Sequence, residues 1–243
     1  MQTEQAFALP PSVEQLRLPL TQGCKDLGLT DVSTYQLDQM LTYLHQLERW
    51  GKVFNLTAVR DPSQMISLHL LDCLALVASL IKRYADQPLR ILDVGSGAGL
   101  PAVILAIMSP QNKRGQTPLI SWTVQSVDSV EKKVAFQRQV KGALSLSNLI
   151  PSHGRIQDLV AQPFDLITCR AFAELNDFYV QSVRLLSNDG IYCAMKGQQL
   201  DAETARLEAC DPKPAISQIE TLAIPSLNDA QRHLVWFAPV RSQ

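Results

Sequence analysis

The stretch DVGSGAGLP places the carboxylate of Asp93 ahead of Gly95, Gly97 and Gly99, with Leu100 and Pro101 closing it. Such residues hold a ligand rather than cleave one. Glycine takes positive φ and puts no β-carbon between backbone and ligand, and Pro101 suits the first turn of a helix. Asp93 can orient the loop by accepting its N–H groups or can face a ligand's ammonium group. The G-x-G-x-G spacing departs from the G-x-G-x-x-G of dinucleotide sites, where a helix N-terminus receives a pyrophosphate, so no phosphate is required. Asp128 ends the run SWTVQSVD, where a crevice acid hydrogen-bonds ribose hydroxyls in doubly wound sheets. Together they describe a site for a nucleoside with a small charged appendage. The plainer readings are a tight strand-to-helix turn for the loop and a helix N-cap for Asp128; capping and ligand contact can coexist.

The elements that must position these residues follow from periodicity. From Tyr35 to Val53, Leu37, Met40, Leu41, Leu44, Leu47 and Val53 recur at three and four, which predicts a helix capped by Ser33 or Thr34. Asp61 and Pro62 match an N-cap and N1 proline for a second helix carrying Met65, Ile66, Leu70, Cys73, Leu74 and Val77. After residues 86–88 the period changes to short runs rich in branched and aromatic residues: LRILDV, SWTVQSVD, FDLITC, GIYCAM and RHLVWFAPV. The first four alternate with helices near Pro101–Met108, Val130–Leu146 and Asn176–Leu186, the pattern of a parallel sheet covered on both faces. Ser109 to Pro118 reads as a surface insertion. The expected organisation is a helical extension over residues 1–88 and a ligand-binding α/β domain over 89–243.

Composition sets the bounds. With 46% hydrophobic and 19% charged residues the chain is globular, and 22 Lys and Arg against 23 Asp and Glu confine any basic surface to a local patch. Five cysteines without a C-x-x-C pair suggest neither zinc nor disulfides and fit a reducing compartment. The N-terminus lacks the basic flank and apolar run of a signal peptide. The apolar stretch from Leu70 to Ile81 is broken by Asp72 and short of the roughly 20 residues a bilayer needs. A cytoplasmic, soluble protein without a membrane partner is expected.

DVGSGAGLP resembles the S-adenosylmethionine loop of class I methyltransferases, and its GLP ending resembles the bacterial RsmG (GidB) family. Similar blocks are NLTAVRDP at 55–62, HLLD at 69–72, DSVEKKVAFQRQV at 128–140, CRAFAELND at 169–177, MKGQ at 195–198 and RHLV at 232–235. The resemblance spans roughly residues 35–240. It implies a Rossmann-like, mostly parallel seven-stranded sheet, S-adenosyl-L-methionine as cofactor and methylation of guanine N7 in 16S rRNA near the decoding site. It also implies that Gly95 and Leu100 line the cofactor site, that Ile156 and Gln157 pack beside the adenine, and that Arg170 stands between cofactor and substrate. Two positions depart from the family: Leu68 precedes His69 where an arginine is usual, and Ala102 follows the proline where a glycine is common.

Guanine N7 carries a lone pair and no proton, so its methylation needs positioning rather than an acid–base residue, and none is nominated. Because the product base is cationic, a nearby carboxylate or carbonyl would help the transition state more than another cation. An unstacked base needs a platform; Phe172 is the candidate, a core phenylalanine the alternative. Arg170, Lys196 and His69 are further candidates for positioning substrate, Lys196 through a phosphate or else as a solvated lysine. His69 and Asp72, three apart on a helical face, can pair but make no metal site, and a satisfied structural histidine is the plainer reading. Asn55 and Arg60 read as turn chemistry. Lys132, Lys133, Arg138 and Lys141 read as a solvated helix face or phosphate contacts. The expected partner is 16S rRNA in the small subunit or an assembly intermediate, met by a monomer that recognises the folded subunit. A methyltransferase for a small molecule or protein, a non-enzymatic ribosome-binding module and, less well matched in glycine spacing, an NAD oxidoreductase remain as alternatives.

Overall fold

The computed structural model describes residues 9–84, 87–110, 122–172, 174–197, 200–225, 227 and 231–240. Most of the insertion read at Ser109 to Pro118 lies outside the described residues. The helices are α1 (Pro11–Glu14), α2 (Arg17–Asp26), α3 (Thr34–Phe54), α4 (Pro62–Met65), α5 (Asp72–Tyr84), α6 (Ala102–Ile107), α7 (Glu131–Ala143), α8 (Leu175–Ser182) and α9 (Leu200–Glu208). The strands are β1 (Leu89–Val94), β2 (Trp122–Asp128), β3 (Leu149–His153), β4 (Phe164–Arg170), β5 (Leu186–Lys196), β6 (Pro214–Leu222) and β7 (Arg232–Pro239).

The opening helices start where their caps dictate. Ser33 accepts from the N–H of Gln36 while the Gln36 side chain accepts from the N–H of Ser33, a reciprocal cap on α3. Asp61 accepts from the N–H of Ser63 at the start of α4. A π-helical stretch, Ile66–Leu71, joins α4 to α5. The continuous helix Pro62–Tyr84 is long and apolar enough to cross a bilayer, longer than the apolar stretch read from sequence, but 72% of that window is buried inside the protein. It is a core helix.

One seven-stranded sheet runs in the order β3-β2-β1-β4-β5-β7-β6, with β1 to β5 parallel and β7 antiparallel to both neighbours. Its two faces bury separate cores. Residues of α3, α5 and α6 pack on one face with Leu89, Ile91, Trp122 and Trp236. On the other, Phe178 and Tyr179 of α8 meet Tyr192 and Phe237, whose rings stack 4.7 Å apart. Apolar burial of this extent is the main force holding the layers together.

Register aligns the strand ends. Val94 is opposite Val127 and Cys169, Asp128 opposite His153, and Arg170 opposite Met195. Gly95, Asp128, Arg170 and Lys196 therefore lie along one carboxyl edge, where ligands bind in such sheets. Because β7 is antiparallel, its beginning reaches the same edge: His233 pairs with Lys196, next to Arg232.

Candidate functional site

The glycine loop is braced from every side. Asp93 is fully buried, and its Oδ2 accepts from the Ser96 hydroxyl at 2.6 Å and the Ala102 N–H at 3.0 Å. Of its two anticipated uses, loop bracing is the one these bonds display. Asp128 accepts from the N–H of Gly97 at 2.8 Å through Oδ2 and from that of Val130 at 2.8 Å through Oδ1. It thus ties β2 to the loop rather than capping α7, whose N-cap Val130 has no side-chain cap. Gln137, fully buried, receives the Ser126 hydroxyl at 2.5 Å and donates to the Gly97 carbonyl at 2.7 Å. Tyr43 of α3 donates to the Ala98 carbonyl at 3.0 Å. Gly95, Gly97 and Gly99 all have positive φ, the conformation that glycine enters without steric cost.

A cavity of about 350 Å³ opens beside this loop, lined by Gly95, Asp128, Gly154, Ile156, Gln157 and Phe172 among others. That volume is in the range of small-molecule sites. Open space surrounds the missing β-carbons of Gly97 and Gly154, as an approaching ligand requires. The Ile156–Asp158 turn is held by Arg184, one of whose guanidinium nitrogens lies 2.9, 2.7 and 2.8 Å from the carbonyls of Ile156, Gln157 and Leu159. Gln157 also donates to Gln181 at 2.9 Å. Glycine backbone, a carboxylate with spare lone pairs and an apolar Ile156 wall fit an adenosine.

A second cavity, about 450 Å³, lies on the other side of the segment after β4, with His69, Asp72, Arg170, Lys196, Arg232 and His233 in its wall. Arg170 donates to the Leu68 carbonyl at 3.0 Å and pairs with Asp72 at 3.3 Å, while Arg232 pairs with the other Asp72 oxygen at 3.4 Å. Lys196 pairs with Glu203 at 2.6 Å and donates to the Phe172 carbonyl at 3.2 Å. His69 bonds Thr57 Oγ1 at 2.8 Å and the Leu68 carbonyl at 3.0 Å. Burial, then the Arg170 charge, pushes its pKa down to about 4, so the ring is neutral at pH 7. His69 and Asp72 thus bond other partners instead of each other. Arg60 donates to Asn55, a left-handed C-cap, at 3.1 Å, as turn chemistry implies.

The structure thus brings Gly95, Asp128, Ile156, Gln157 and Phe172 to one cavity and His69, Arg170 and Lys196 to another. Asp93, Gly97, Gly99 and Leu100 are absent from the lining of both, and all but the half-buried Gly97 are buried. Phe172, read as a platform for a substrate base, lies on the first cavity's wall against Gly95 and packs on Phe178 at 5.9 Å. Sequence alone does not single out Tyr43, Gln137, Arg184, Asp72 or Arg232 as site residues. Gln137, Asp72 and Arg232 do fall within similarity blocks, a signal that could have found them. Among the described residues no group of three or more His, Cys, Asp or Glu is placed to hold a metal.

The model of the GidB family, rRNA small subunit methyltransferase G, matches residues 36–235. A ribosomal RNA small subunit methyltransferase G from Leptothrix cholodnii is 42% identical over 220 residues, 90% of this chain and 94% of that one. Its counterpart from Bordetella petrii is 43% identical over 218 residues, covering 89% and 80%. Among solved structures, a SAM-dependent methyltransferase from Aquifex aeolicus is similar with a TM-score of 0.53 at 17% identity, covering 76% of this chain and 97% of that one. A ribosomal protein L11 methylase from Lactobacillus delbrueckii gives 0.51 at 16%, covering 72% and 79%. At these identities the likeness to both structures is one of fold.

Proposed function

Since the chain belongs to the GidB family, with the class I methyltransferase fold and the family's activity on small-subunit ribosomal RNA, we propose that its first cavity holds S-adenosyl-L-methionine and its second a guanine of 16S rRNA, methylated at N7. When bound, the cofactor supplies an electrophilic sulfonium methyl. One observation carries the assignment: consecutive residues at the end of β4 divide the two cavities, Arg170 and Ala171 lining the second and Phe172 the first.

The chain's work is then positional. Asp128 accepts ribose hydroxyls on lone pairs that Gly97 and Val130 leave free, Ile156 and Gln157 flank the adenine, and Gly95 lets the backbone approach. Asp93, Gly97, Gly99 and Leu100 serve by holding the loop's shape. Arg170, locked against Asp72 and the Leu68 carbonyl, orders the wall through which nucleophile and methyl meet, and Lys196 pins the Phe172 carbonyl. No residue need take a proton, because N7 has none to give. Holding two reactants in line supplies several kcal/mol of a barrier by itself. The enzyme acts in the cytoplasm as a monomer, and its near-zero net charge fits recognition of a folded subunit by shape and local contacts.

The test is transfer of labelled methyl from the cofactor into small subunits isolated from a strain lacking the enzyme, followed by mass analysis of nucleosides. Label recovered as 7-methylguanosine in 16S rRNA is expected, with intact subunits a better substrate than naked RNA fragments. Label in another nucleoside, in protein, or nowhere would refute the reading.

A further inference from the structure

The wall of the second cavity carries an imidazole with a nitrogen to spare. Arg170 and Arg232 are committed to Asp72, Lys196 to Glu203 and the Phe172 carbonyl, and both nitrogens of His69 are bonded. His233, half-buried near the start of β7, also lines this cavity. Its Nδ1 lies 3.2 Å from the Gly197 carbonyl. That oxygen only accepts, so Nδ1 carries the proton, and in the neutral ring Nε2 is left with a lone pair. Nε2 bonds none of the described residues and is not closed off from solvent.

The place of this lone pair in the sheet gives it a partner. β7 stands two strands beyond β4, with β5 between them, and His233 is opposite Lys196 in the β5–β7 pairing. Neighbouring strands lie about 4.8 Å apart, which sets His233 roughly 10 Å from the end of β4. The two cavities divide at that end, so His233 borders the acceptor cavity on the side away from the cofactor. A guanine that turns N7 toward the methyl group turns its opposite edge to that side. The 2-amino group is the N–H donor of that edge farthest from N7. A neutral imidazole nitrogen can accept it, whereas adenine has no amino group there and an ionised phosphate has no proton to give.

We infer that His233 is a substrate-positioning residue of the acceptor cavity, its Nε2 accepting a hydrogen bond from the 2-amino group of the target guanine. This rests on the proposed function, since it needs a guanine in the second cavity. A hydrogen bond between neutral groups corresponds to about three- to tenfold in kcat/KM.

The two ring nitrogens can be removed separately. In His233→Asn the amide nitrogen can stand where Nδ1 does and keep the Gly197 contact, and nothing replaces Nε2. In His233→Gln the longer side chain can bring an amide oxygen to the position of Nε2. The full-length wild type and both variants are compared on small subunits reconstituted with guanosine or with inosine, which lacks the 2-amino group, at the methylated position. Wild type should lose at least about threefold in kcat/KM on inosine. His233→Asn should lose a similar factor on guanosine and little more on inosine, and His233→Gln should recover part of the guanosine rate. Calorimetry with S-adenosylhomocysteine should give one affinity for all three proteins, showing that the variants are folded and the first cavity intact. A wild-type rate on guanosine in His233→Asn, or an undiminished inosine penalty, would mean that the ring only anchors Gly197, and the inference would fall. Should the variants not fold, the wild-type arms decide: equal rates on inosine and guanosine overturn the inference. Failure of wild type to methylate guanosine subunits would instead refute the functional reading beneath it.

Discussion

Phe172 lies across Gly95 so closely that a β-carbon on the glycine would meet Cδ2 of the ring at 2.9 Å. The contact joins the glycine loop after β1 to the segment after β4, and two separable costs follow from disturbing it. Gly95 has φ +69°, where an L-residue is strained by about 1–2 kcal/mol. The ring would also have to swing away, into the cavity it lines. Gly95→Ala should therefore lower the thermal midpoint and weaken S-adenosylhomocysteine binding roughly tenfold, which is about 1.4 kcal/mol. Adding Phe172→Ala should restore part of the affinity and none of the backbone stability. Melting curves and calorimetry on the single and double variants separate the two; full recovery of both quantities would contradict the backbone argument.

Gln137 holds the same loop from below. In Gln137→Leu the buried Ser126 hydroxyl and the Gly97 carbonyl each lose their hydrogen-bond partner, at about 1–3 kcal/mol for a buried group left unmade. A loss of about 2 kcal/mol, roughly 4–8 °C in Tm for a domain of this size, is expected. Gln137→Glu can still receive the Ser126 hydroxyl but turns an acceptor toward the Gly97 carbonyl. It should therefore bind S-adenosylhomocysteine worse than wild type does, and equal affinity would show that the Gly97 contact is idle.

The sequence displays the middle of this sheet and hides its edges. β1, β2, β4, β5 and β7 are buried runs of branched and aromatic residues and read directly as strands. β3 and β6, the two edge strands, do not. Pro151 interrupts the pattern of β3, a residue tolerated at an edge because one side of the strand needs no N–H donor. β6 buries Pro214 alone among its nine residues, so no apolar alternation marks it. α9 buries only Leu207 and is hidden for the same reason. The site divides similarly. The glycine loop and Asp128 are legible because a local backbone conformation demands particular residues. Asp72 and Arg232 meet only through the antiparallel entry of β7, and Arg184 reaches the Ile156–Asp158 turn across space; neither relation has a local signature.

Arg184 acts through that turn and touches no proposed ligand. Removing its guanidinium frees three carbonyls that one nitrogen now organises. Arg184→Met should raise the dissociation constant for S-adenosylhomocysteine by about tenfold, with kcat at saturating cofactor little changed. Arg184→Lys, which still brings a cation to the carbonyls, should recover part of the affinity. A fall in kcat at saturation with affinity intact would place the residue's influence on the acceptor side instead.

Two buried groups give the fold opposite pH dependences over nearly the same interval. Burial pushes Asp93 up to about 6, against the hydrogen bonds from Ser96 and Ala102, while an unfolded Asp titrates near 3.9. Between about pH 4 and 6 the folded state therefore binds more protons, and this group's contribution to stability falls as pH rises. His69, held down to about 4 by burial and the Arg170 charge, titrates near 6.5 when unfolded. From about pH 4 to 6.5 the unfolded state binds more protons, and stability from this group rises with pH. Each slope amounts to roughly 3 kcal/mol across its window, so the two nearly cancel in the wild type. Asp93→Asn should unmask a steeper gain in stability from pH 4 to 6.5, and His69→Gln a net loss from pH 4 to 6. Urea unfolding at half-unit pH intervals measures both slopes relative to wild type, which removes the contribution of the remaining carboxylates. Parallel curves for all three proteins would show that neither group titrates as its burial requires.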